Sequence, residues 1–273
     1  MNAVMTIARK ELRDAVASGW LVVFAATFAV VAMILSHVQA DSGGIGEQGF
    51  NRTTAGLINL CLLLVPLLAL VLGAGAIAGE RDRGTLATLL SQPVTPVQVL
   101  IGKYIGLTLA VWGAIAAGFG IAGLFMMLFS PLSDIGHYLL FVLLSGVLAS
   151  AMLSLGILVS VFAGSRVKAL GLAVVLWFVL VLAYDLGAIG FALAVSPSGR
   201  TLVAVALLNP AEATRLLAIM SIERDLDVLG PLGAYLTDRL GTGVSRSLLL
   251  TAILAWTAAP LAIAARGFSR QDV

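Results

Sequence analysis

The sequence is poor in charged residues and contains a single cysteine. Only 11% of its 273 residues are charged, whereas 60% are hydrophobic and the mean hydropathy is +1.07. Soluble globular chains carry about 25% charged residues, so most of this chain cannot face water and we expect it to lie in a lipid bilayer. Because Cys61 has no second cysteine to pair with, an internal disulfide is excluded. The net charge of +2 is too small to indicate nucleic-acid binding.

The sequence also lacks the motifs of common catalytic sites. It has no Gly-x-x-x-x-Gly-Lys-Ser/Thr phosphate loop, so this chain is not expected to hydrolyse ATP. An intramembrane serine protease would need a histidine facing a serine, but His37 and His137 fall at the outer ends of predicted spans and no Gly-x-Ser-x-Gly occurs. Methionines near these histidines would suit copper, although no short spacing links them. We therefore predict no catalytic residue, cofactor or metal site in this chain.

Six apolar segments are long enough to cross a bilayer, which takes about 20 residues. They cover residues 20–38, 56–78, 104–129, 138–162, 169–193 and 247–265. This pattern predicts an all-α membrane protein with a six-helix transmembrane domain over residues 20–265 and a short tail over residues 266–273. An even number of spans places both chain termini on the same side of the membrane.

Lysine and arginine are unevenly distributed between the two sides of the predicted bundle. The side that carries the termini holds ten of them, whereas the two short loops on the other side hold only Arg52. Cytoplasmic loops are the ones enriched in Lys and Arg, so both termini are predicted in the cytoplasm. The long segment 195–246 holds five more arginines, but long segments translocate largely regardless of their charge.

Residues 1–18 have the pattern of an amphipathic helix. Apolar residues recur at helical spacing from Val4 to Ala15, while Arg9, Lys10 and Arg13 fall elsewhere on the helical wheel. This pattern is typical of a helix in the membrane interface whose basic side chains face anionic headgroups. An ordinary charged segment before the first span is the alternative.

A polar segment, residues 79–103, separates the second and third spans. It begins with the charged run Glu80 to Arg83 and continues with a short predicted helix over residues 85–90, which Pro93 should stop. Thr95 and Gln98 then form a capping box, so the third helix is predicted to begin at Pro96, in the cytoplasm. The segment therefore predicts a helical elbow, unless it is a solvated connector whose charges only fix the topology.

This segment resembles the coupling segment of ABC-2 type permeases. The matching residues are Glu80, Gly84-Thr85-Leu86, Leu89-Leu90, Ser91-Gln92-Pro93 and Gly102-Lys103. The resemblance implies a homodimeric permease in the bacterial inner membrane and a cytoplasmic dimer of ABC ATPase subunits, which would carry ATP and Mg. It makes the following residues candidates for coupling to the ATPase: Glu80, Arg81, Arg83, Gly84, Thr85, Leu86, Leu89 and Leu90.

The long segment 195–246 predicts a small helical cap on the outer face. Asn209, Pro210 and Glu212 have the pattern of a helix start, and an apolar stripe follows from Ala213 to Met220. A second helical piece is predicted around residues 235–240. The candidate contacts with an outer partner are Asn209, Pro210, Glu212, Thr214, Arg215 and Ile222, and the last three are expected on the exposed side. The stripe itself is expected to pack on the permease's own helices.

Two short stretches refine the family resemblance. Leu208-Asn209-Pro210 followed by Arg215-Leu216-Leu217, and the opening Met-x-x-x-x-x-Ile-Ala-Arg-Lys-Glu-Leu, are similar to the permease of the transporter that matures nitrous oxide reductase. That resemblance implies a periplasmic β-helical accessory protein and a role in copper-site assembly. An ABC-2 exporter of lipid, drug or another amphiphile is the main alternative, and a structural membrane anchor is a further one.

Asp185 is the only acidic residue inside an apolar run. An intramembrane carboxylate suggests a proton or cation site, as an ion-driven secondary transporter would need. Asp185 lies sixteen residues into the fifth span, about 24 Å at 1.5 Å per residue, so it should lie near the outer interface. A carboxylate that is solvated or paired with arginine is therefore the favoured alternative, and the inverted repeat of many secondary transporters is not evident.

Overall fold

The computed structural model describes residues 3–40, 47–129, 135–195, 197–222, 226 and 229–271, and every regular element in these ranges is helical. The predicted all-α fold is thus confirmed. The elements are α1 (Ala3–Ala17), α2 (Trp20–Ala40), α3 (Glu47–Asp82), α4 (Thr85–Leu90), α5 (Pro96–Phe129), α6 (Ile135–Phe162), α7 (Arg166–Trp177), α8 (Tyr184–Val195), α9 (Gly199–Leu207), α10 (Pro210–Ile222), α11 (Pro231–Ala234) and α12 (Thr242–Phe268).

Among the described residues, five to six segments are long and apolar enough to cross a membrane. Five are continuous: Asn59–Asp82, Pro96–Leu124, Ile135–Phe162, Arg166–Val195 and Thr242–Phe268. The sixth is the pair of α1 and α2, which meet at a 55° bend. The connectivity gives the bundle two ends. We call the end with α1, α4 and residues 266–271 the termini end, and the end with α11 and the start of α12 the distal end.

The centre of the bundle is the contact between α3 and α6. More than half of each helix's most apolar stretch is buried, 61% in α3 and 67% in α6. Their backbones touch at Gly73, where a Cβ atom would lie only 2.6 Å from the carbonyl oxygen of Leu153. Small residues at such contacts let membrane helices pack by van der Waals contact, because lipid supplies no hydrophobic driving force between them.

Helix α1 packs directly on α5 rather than standing apart from the bundle. Its Ile7, Ala8 and Ala15 are buried, and a Cβ atom at Gly106 of α5 would lie 2.5 Å from the carbonyl oxygen of Ala8. The predicted amphipathic helix therefore turns its apolar side toward another helix. Its Arg9, like Lys10 and Arg13, is exposed.

The fifth span is a helix with a π-helical turn inside it. Helices α7 and α8 are joined by the π turn Phe178–Ala183, where the sequence predicts a single apolar run. Only 11% of its most apolar stretch is buried, against 22% for α12. These two spans therefore offer most of their surface to lipid or to a neighbouring subunit.

Helices α9 and α10 form a hairpin that reaches into the bundle. Its turn is held at two points: the indole Nε1 of Trp256 donates to the carbonyl oxygen of Leu207 at 3.0 Å, and Asn209 Nδ2 donates to that of Leu180 at 2.5 Å. Leu180 lies fourteen residues, about 21 Å, along its span, so the turn sits at mid-depth. The sequence prediction of a cap on the outer face was wrong in this respect, and it missed α9.

Candidate functional site

Helix α4 is a short helix with one buried side and one free side. It follows a tight turn at Gly84, whose φ of 69° is the left-handed conformation that glycine adopts without strain. Leu86 is buried, whereas Thr85, Ala87 and Thr88 are exposed. The helix covers the residues predicted from the sequence. Its exposed side gives a partner a surface at the termini end.

The start of α5 fixes the far end of the α4 segment. The backbone N–H of Thr95 donates to Gln98 Oε1 at 3.0 Å, and the backbone N–H of Gln98 donates to Thr95 Oγ1 at 3.2 Å. These reciprocal bonds are the capping box predicted from the sequence, and they satisfy two N–H groups that a helix start leaves unpaired. Helix α4 therefore lies between the end of α3 and the capped start of α5.

Glu80, at the end of α3, is bound inside the protein. Lys103 Nζ lies 2.8 Å from Glu80 Oε1 and 2.8 Å from Glu11 Oε1, and the Lys103 side chain is only 2% exposed. One buried ammonium thus joins α1, α3 and α5. The Oε2 atom of Glu80 has no hydrogen-bond partner among the described residues. Glu80 therefore cannot steer a partner as an exposed charge would, and any part it has in coupling must act through α1 and α5.

Arg81 binds the C-terminal end of α6 and the tail of the chain. Its guanidinium donates to the carbonyl oxygen of Ala163 at 2.6 Å and to Gln271 Oε1 at 2.7 Å. Gln271 Nε2 in turn donates to the carbonyl oxygen of Val161 at 3.0 Å. These donors satisfy carbonyl groups that a helix end leaves free, and a cation there also complements the helix dipole. Arg83, in contrast, is exposed.

Asp82 binds the beginning of the next helix. Its Oδ2 accepts from the backbone N–H of Arg166 at 2.8 Å, at the first residue of α7. Ser165 Oγ accepts from the N–H of Lys168 at 3.4 Å in the same turn. An anion at a helix N-terminus is stabilised by the free N–H groups and by the dipole. Each of Glu80, Arg81 and Asp82 thus contacts a different part of the bundle.

An indentation of about 450 Å³ lies beside α4, between it and the tail. Gly84, Ala87, Phe162, Gly164 and Gln271 are among its lining residues. The Phe162 side chain is 59% exposed although it is large and apolar. The exposed side of α4 therefore continues into a concave surface of mixed polarity.

At the other end of the bundle, Arg215 joins the hairpin to the fifth span. Its Nη2 lies 2.8 Å from Asp185 Oδ2 and its Nη1 lies 3.2 Å from Asp185 Oδ1, a two-point contact. Nη1 also lies 2.9 Å from Glu212 Oε2. Asp185 is therefore paired with arginine, the alternative that its position in the sequence favoured over a proton or cation site.

The two hairpin groups respond differently to this contact. Burial raises the pKa of Glu212, the positive charge of Arg215 lowers it and the negative charge of Asp185 raises it, and the overall direction is upward. Burial lowers the pKa of Arg215, but its hydrogen bond to Asp185 and the nearby carboxylates raise it overall. The contact thus favours the charged form of Arg215, whereas the charged form of Glu212 remains disfavoured.

The residues predicted to contact an outer partner mostly hold the hairpin instead. Thr214 is only 3% exposed and its hydroxyl donates to the carbonyl oxygen of Pro210, so the prediction that it lies on the exposed side was wrong. Asn209 and Pro210 are buried as well, and Asn209 Oδ1 accepts from the N–H of Ala211 as a helix cap. The reason is that α10 is enclosed by α6, α9 and α12. The side chain of Ile222 lies outside the described residues.

Sequence reasoning missed Glu11, Lys103 and Gln271 as functional partners of the α3 end. In the sequence, Lys103 counts toward the positive charge of the termini side and belongs to the Gly102-Lys103 pair of the family pattern, but neither observation gives it a partner. A lysine seven residues after a predicted helix start, on a helix about to enter the membrane, was a usable signal, because such a charge needs a partner. Within the described ranges, no three His, Cys, Asp or Glu side chains lie close enough together to hold a metal ion.

The geometry defines a class of protein: a helical membrane protein that presents a short helix at one end and a polar-anchored hairpin between its spans. The sequence profile of the ABC-2 family transporter proteins matches residues 5–273. The chain is 34% identical over 282 residues to the "Probable ABC transporter permease protein NosY" of Stutzerimonas stutzeri, with 99% of each chain covered. It is also 34% identical over 281 residues to the protein of the same name from Pseudomonas aeruginosa, with 100% of each covered. The chain belongs to the ABC-2 transporter family and is a permease subunit of an ABC transporter.

Proposed function

We propose that this permease couples ATP hydrolysis on a separate ATPase subunit to work at the far side of the membrane. The observation that carries the proposal is the position of α4. Its exposed residues Thr85, Ala87 and Thr88 follow directly after Glu80, Arg81 and Asp82, which bind α1, α5, α6, α7 and the tail. A partner that moves α4 therefore pulls on most of the bundle.

In this proposal the termini end lies in the cytoplasm, as the distribution of Lys and Arg predicts. Two permease copies form a homodimer, and an ATPase dimer that carries ATP and Mg binds their two α4 helices. The free side of α4 receives the ATPase, and Arg83 provides an exposed charge at that surface. ATP-driven closure of the ATPase then displaces α4 and, with it, the end of α3.

We call the ATP-driven displacement of α4 and the end of α3 the stroke. At the far side, we propose that the stroke reaches a periplasmic β-helical partner and serves copper-site maturation of nitrous oxide reductase. The support is the similarity to the two NosY permeases over the whole chain and the Leu208-Asn209-Pro210 stretch. Because α10 is buried, the docking surface proposed for this partner consists of the exposed start of α9 and the exposed end of a second π turn, Tyr235–Arg239, which follows α11. Arg200, Thr201, Asp238 and Arg239 are exposed there.

The test replaces one small exposed residue of α4 by a bulky charge. Ala87→Arg should leave the permease inserted but release the ATPase, because a new arginine blocks the free side of α4 without touching its buried side. The matched control is Ala234→Arg, the same change at an exposed residue of α11. Copurification in mild detergent measures the amount of ATPase bound.

Ala234→Arg should retain the ATPase and, where the periplasmic partner is present, weaken its capture instead. If the Ala87→Arg permease still binds the full amount of ATPase, and the ATPase keeps its full substrate-linked hydrolysis, then α4 is a plain connector. A permease that never captures a periplasmic protein, with or without these changes, would favour an exporter of lipid or drug.

A further inference from the structure

The connection between α6 and α7 is held from both sides by two adjacent residues of α3. Arg81 binds the carbonyl oxygen of Ala163, just beyond the last residue of α6, and Asp82 binds the N–H of Arg166, the first residue of α7. The cation meets the negative end of one helix dipole and the anion meets the positive end of the other. The sequence Arg-Asp therefore matches a helix end followed directly by a helix start.

The tail of the chain completes this contact. Gln271 follows α12, and its backbone N–H donates to the carbonyl oxygen of Phe268 at 3.3 Å. Its side chain uses both polar atoms: Oε1 accepts from Arg81 at 2.7 Å and Nε2 donates to Val161 at 3.0 Å. Gln271 thus bridges Arg81 to the same helix end that Arg81 caps. Arg81, Asp82 and Gln271 are named here the α6–α7 clamp.

We infer that Gln271 is a positioning residue for coupling, because it holds the Arg81 guanidinium against the end of α6 so that α3, α6, α7 and α12 move together. The inference rests on the proposed function and adds to it the path of the stroke. Without Gln271, the guanidinium keeps only backbone carbonyl partners, and the adjoining indentation beside α4 leaves it room to turn away. Motion of α4 would then move the end of α3 without carrying the tail and the end of α12 along.

The contacts that hold the bundle together do not involve Gln271. Ser160 Oγ accepts from the backbone N–H groups of Ile77 and Ala78 at 2.9 Å and holds α3 to α6 about one turn from the clamp. Helices α3 and α6 touch at Gly73 and Leu153, two to three turns from the clamp, and Ser154 of α6 donates to the carbonyl oxygen of Thr257 in α12 at 2.7 Å. These contacts persist when Gln271 is changed. A loss of coupling with the fold retained is therefore the expected signature, whereas a merely structural role would lower both together.

The experiment uses the full permease with its copurified ATPase in membrane vesicles. Gln271→Met keeps the length of the side chain and removes both polar atoms. Arg200→Cys, an exposed residue at the start of α9, reports movement at the distal end through its rate of labelling by a thiol reagent. The native Cys61 is buried and stays in place.

In the otherwise unchanged complex, trapping nucleotide on the ATPase should change the labelling rate at Arg200→Cys. The ratio to compare is the labelling rate with trapped nucleotide divided by the labelling rate without it. Gln271→Met should bring this ratio to unity while the amount of bound ATPase and the unfolding temperature stay unchanged. Gln271→Glu should restore part of the ratio, because a carboxylate still accepts from Arg81 but cannot donate to the carbonyl oxygen of Val161. Arg270→Met, a change at the exposed residue next to Gln271, should leave the ratio as it was.

A Gln271→Met complex that keeps the full ratio would overturn the inference and leave the proposed function standing. If Gln271→Met and Gln271→Glu both lower the unfolding temperature and lose the ATPase, Gln271 is structural and the inference fails. If the unchanged permease binds no ATPase, the proposed function fails and the inference fails with it. If it binds the ATPase but its labelling does not respond to nucleotide, no stroke reaches the distal end and the inference alone is overturned.

Discussion

The two polar clusters of this apolar protein differ in what they hold together. At the termini end, Glu80, Arg81 and Asp82 bind a buried lysine, a helix end and a helix start, so one short stretch joins five helices and the tail. At the hairpin, Arg215 and Asn209 join α10 to one other helix, the fifth span. The Lys103 side chain is 2% exposed, whereas those of Arg215 and Asp185 are 27% and 36% exposed. The first cluster is therefore a buried hub, and the second is a partly exposed attachment.

The largest effect should come from removing the hub's buried cation. Lys103→Met leaves Glu11 and Glu80 close together with only the exposed Lys10 near them, at 3.4 and 4.0 Å. Breaking a buried ion pair in this way typically costs about 3–5 kcal/mol. We expect a clear fall in the unfolding temperature measured in detergent. Lys168→Met, at an exposed lysine on the same side, should change it little.

Two further variants test the contrast between the clusters. Adding Glu11→Gln and Glu80→Gln to Lys103→Met should recover much of the lost stability, since the unpaired charges are then gone. Arg215→Met should lower the unfolding temperature by less than Lys103→Met, because its partners are partly solvated. An equal fall in both single variants would show that the hairpin attachment contributes as much stability as the hub.

A smaller loss of stability is expected from a change where the hairpin meets the π turn. Asn209→Ser keeps an oxygen that can cap α10 but removes the amide that donates to the carbonyl oxygen of Leu180. Losing this part-buried hydrogen bond should cost about 0.5–1.5 kcal/mol, the usual net contribution of one hydrogen bond. The backbone amides of residues 199–222 should then exchange hydrogen faster, while those of α1 and α5 keep their protection. Asn59→Ser, at an exposed asparagine, is the control.

Faster exchange throughout the chain after Asn209→Ser would mean that the hairpin supports the whole bundle, and the contrast drawn above would fail. Unchanged exchange in residues 199–222 would instead show that the packing of α9 and α10 holds the hairpin without this bond.

The features that could be predicted from the sequence are those with local signals. The extent of α4 follows from Pro93, and the start of α5 follows from Thr95 and Gln98, all within a few residues of the feature they fix. The hub could not be predicted in this way. Lys103 and Glu11 are 92 residues apart, and Arg81 and Gln271 are 190 residues apart. Such pairs are set by which helices touch, and a uniformly apolar helix carries little information about its neighbours.

The hairpin shows the same limit from another side. Its helix start at Asn209 was predictable because the cap and the proline are adjacent. Its depth was not, because the depth depends on a carbonyl group in the π turn Phe178–Ala183, and nothing in that apolar run marks the turn. Thr214 was expected on the exposed side for a related reason: the apolar stripe of α10 indicates one packed face, whereas the helix is enclosed on several.

The smallest change in folding stability should come from replacing Glu212. The direction of that change again distinguishes the hairpin from the hub. The pKa of Glu212 is raised in the folded protein from its ordinary value of 4.5, chiefly by burial. The folded state then holds its proton at pH values where the unfolded state has lost it, so folding stability falls as the pH rises through this window. Arg215 keeps its two-point contact with Asp185 when Glu212 is neutral.

Glu212→Gln should therefore be as stable as the unchanged protein near pH 4 and equal or slightly more stable at neutral pH, as measured by unfolding temperature across that range. At the hub, Glu80→Gln should instead destabilise at neutral pH, because it weakens a contact to the buried Lys103. A loss of stability in Glu212→Gln at neutral pH would mean that its contact with Arg215 outweighs the cost of burial, and that the hairpin is held by charge as the hub is.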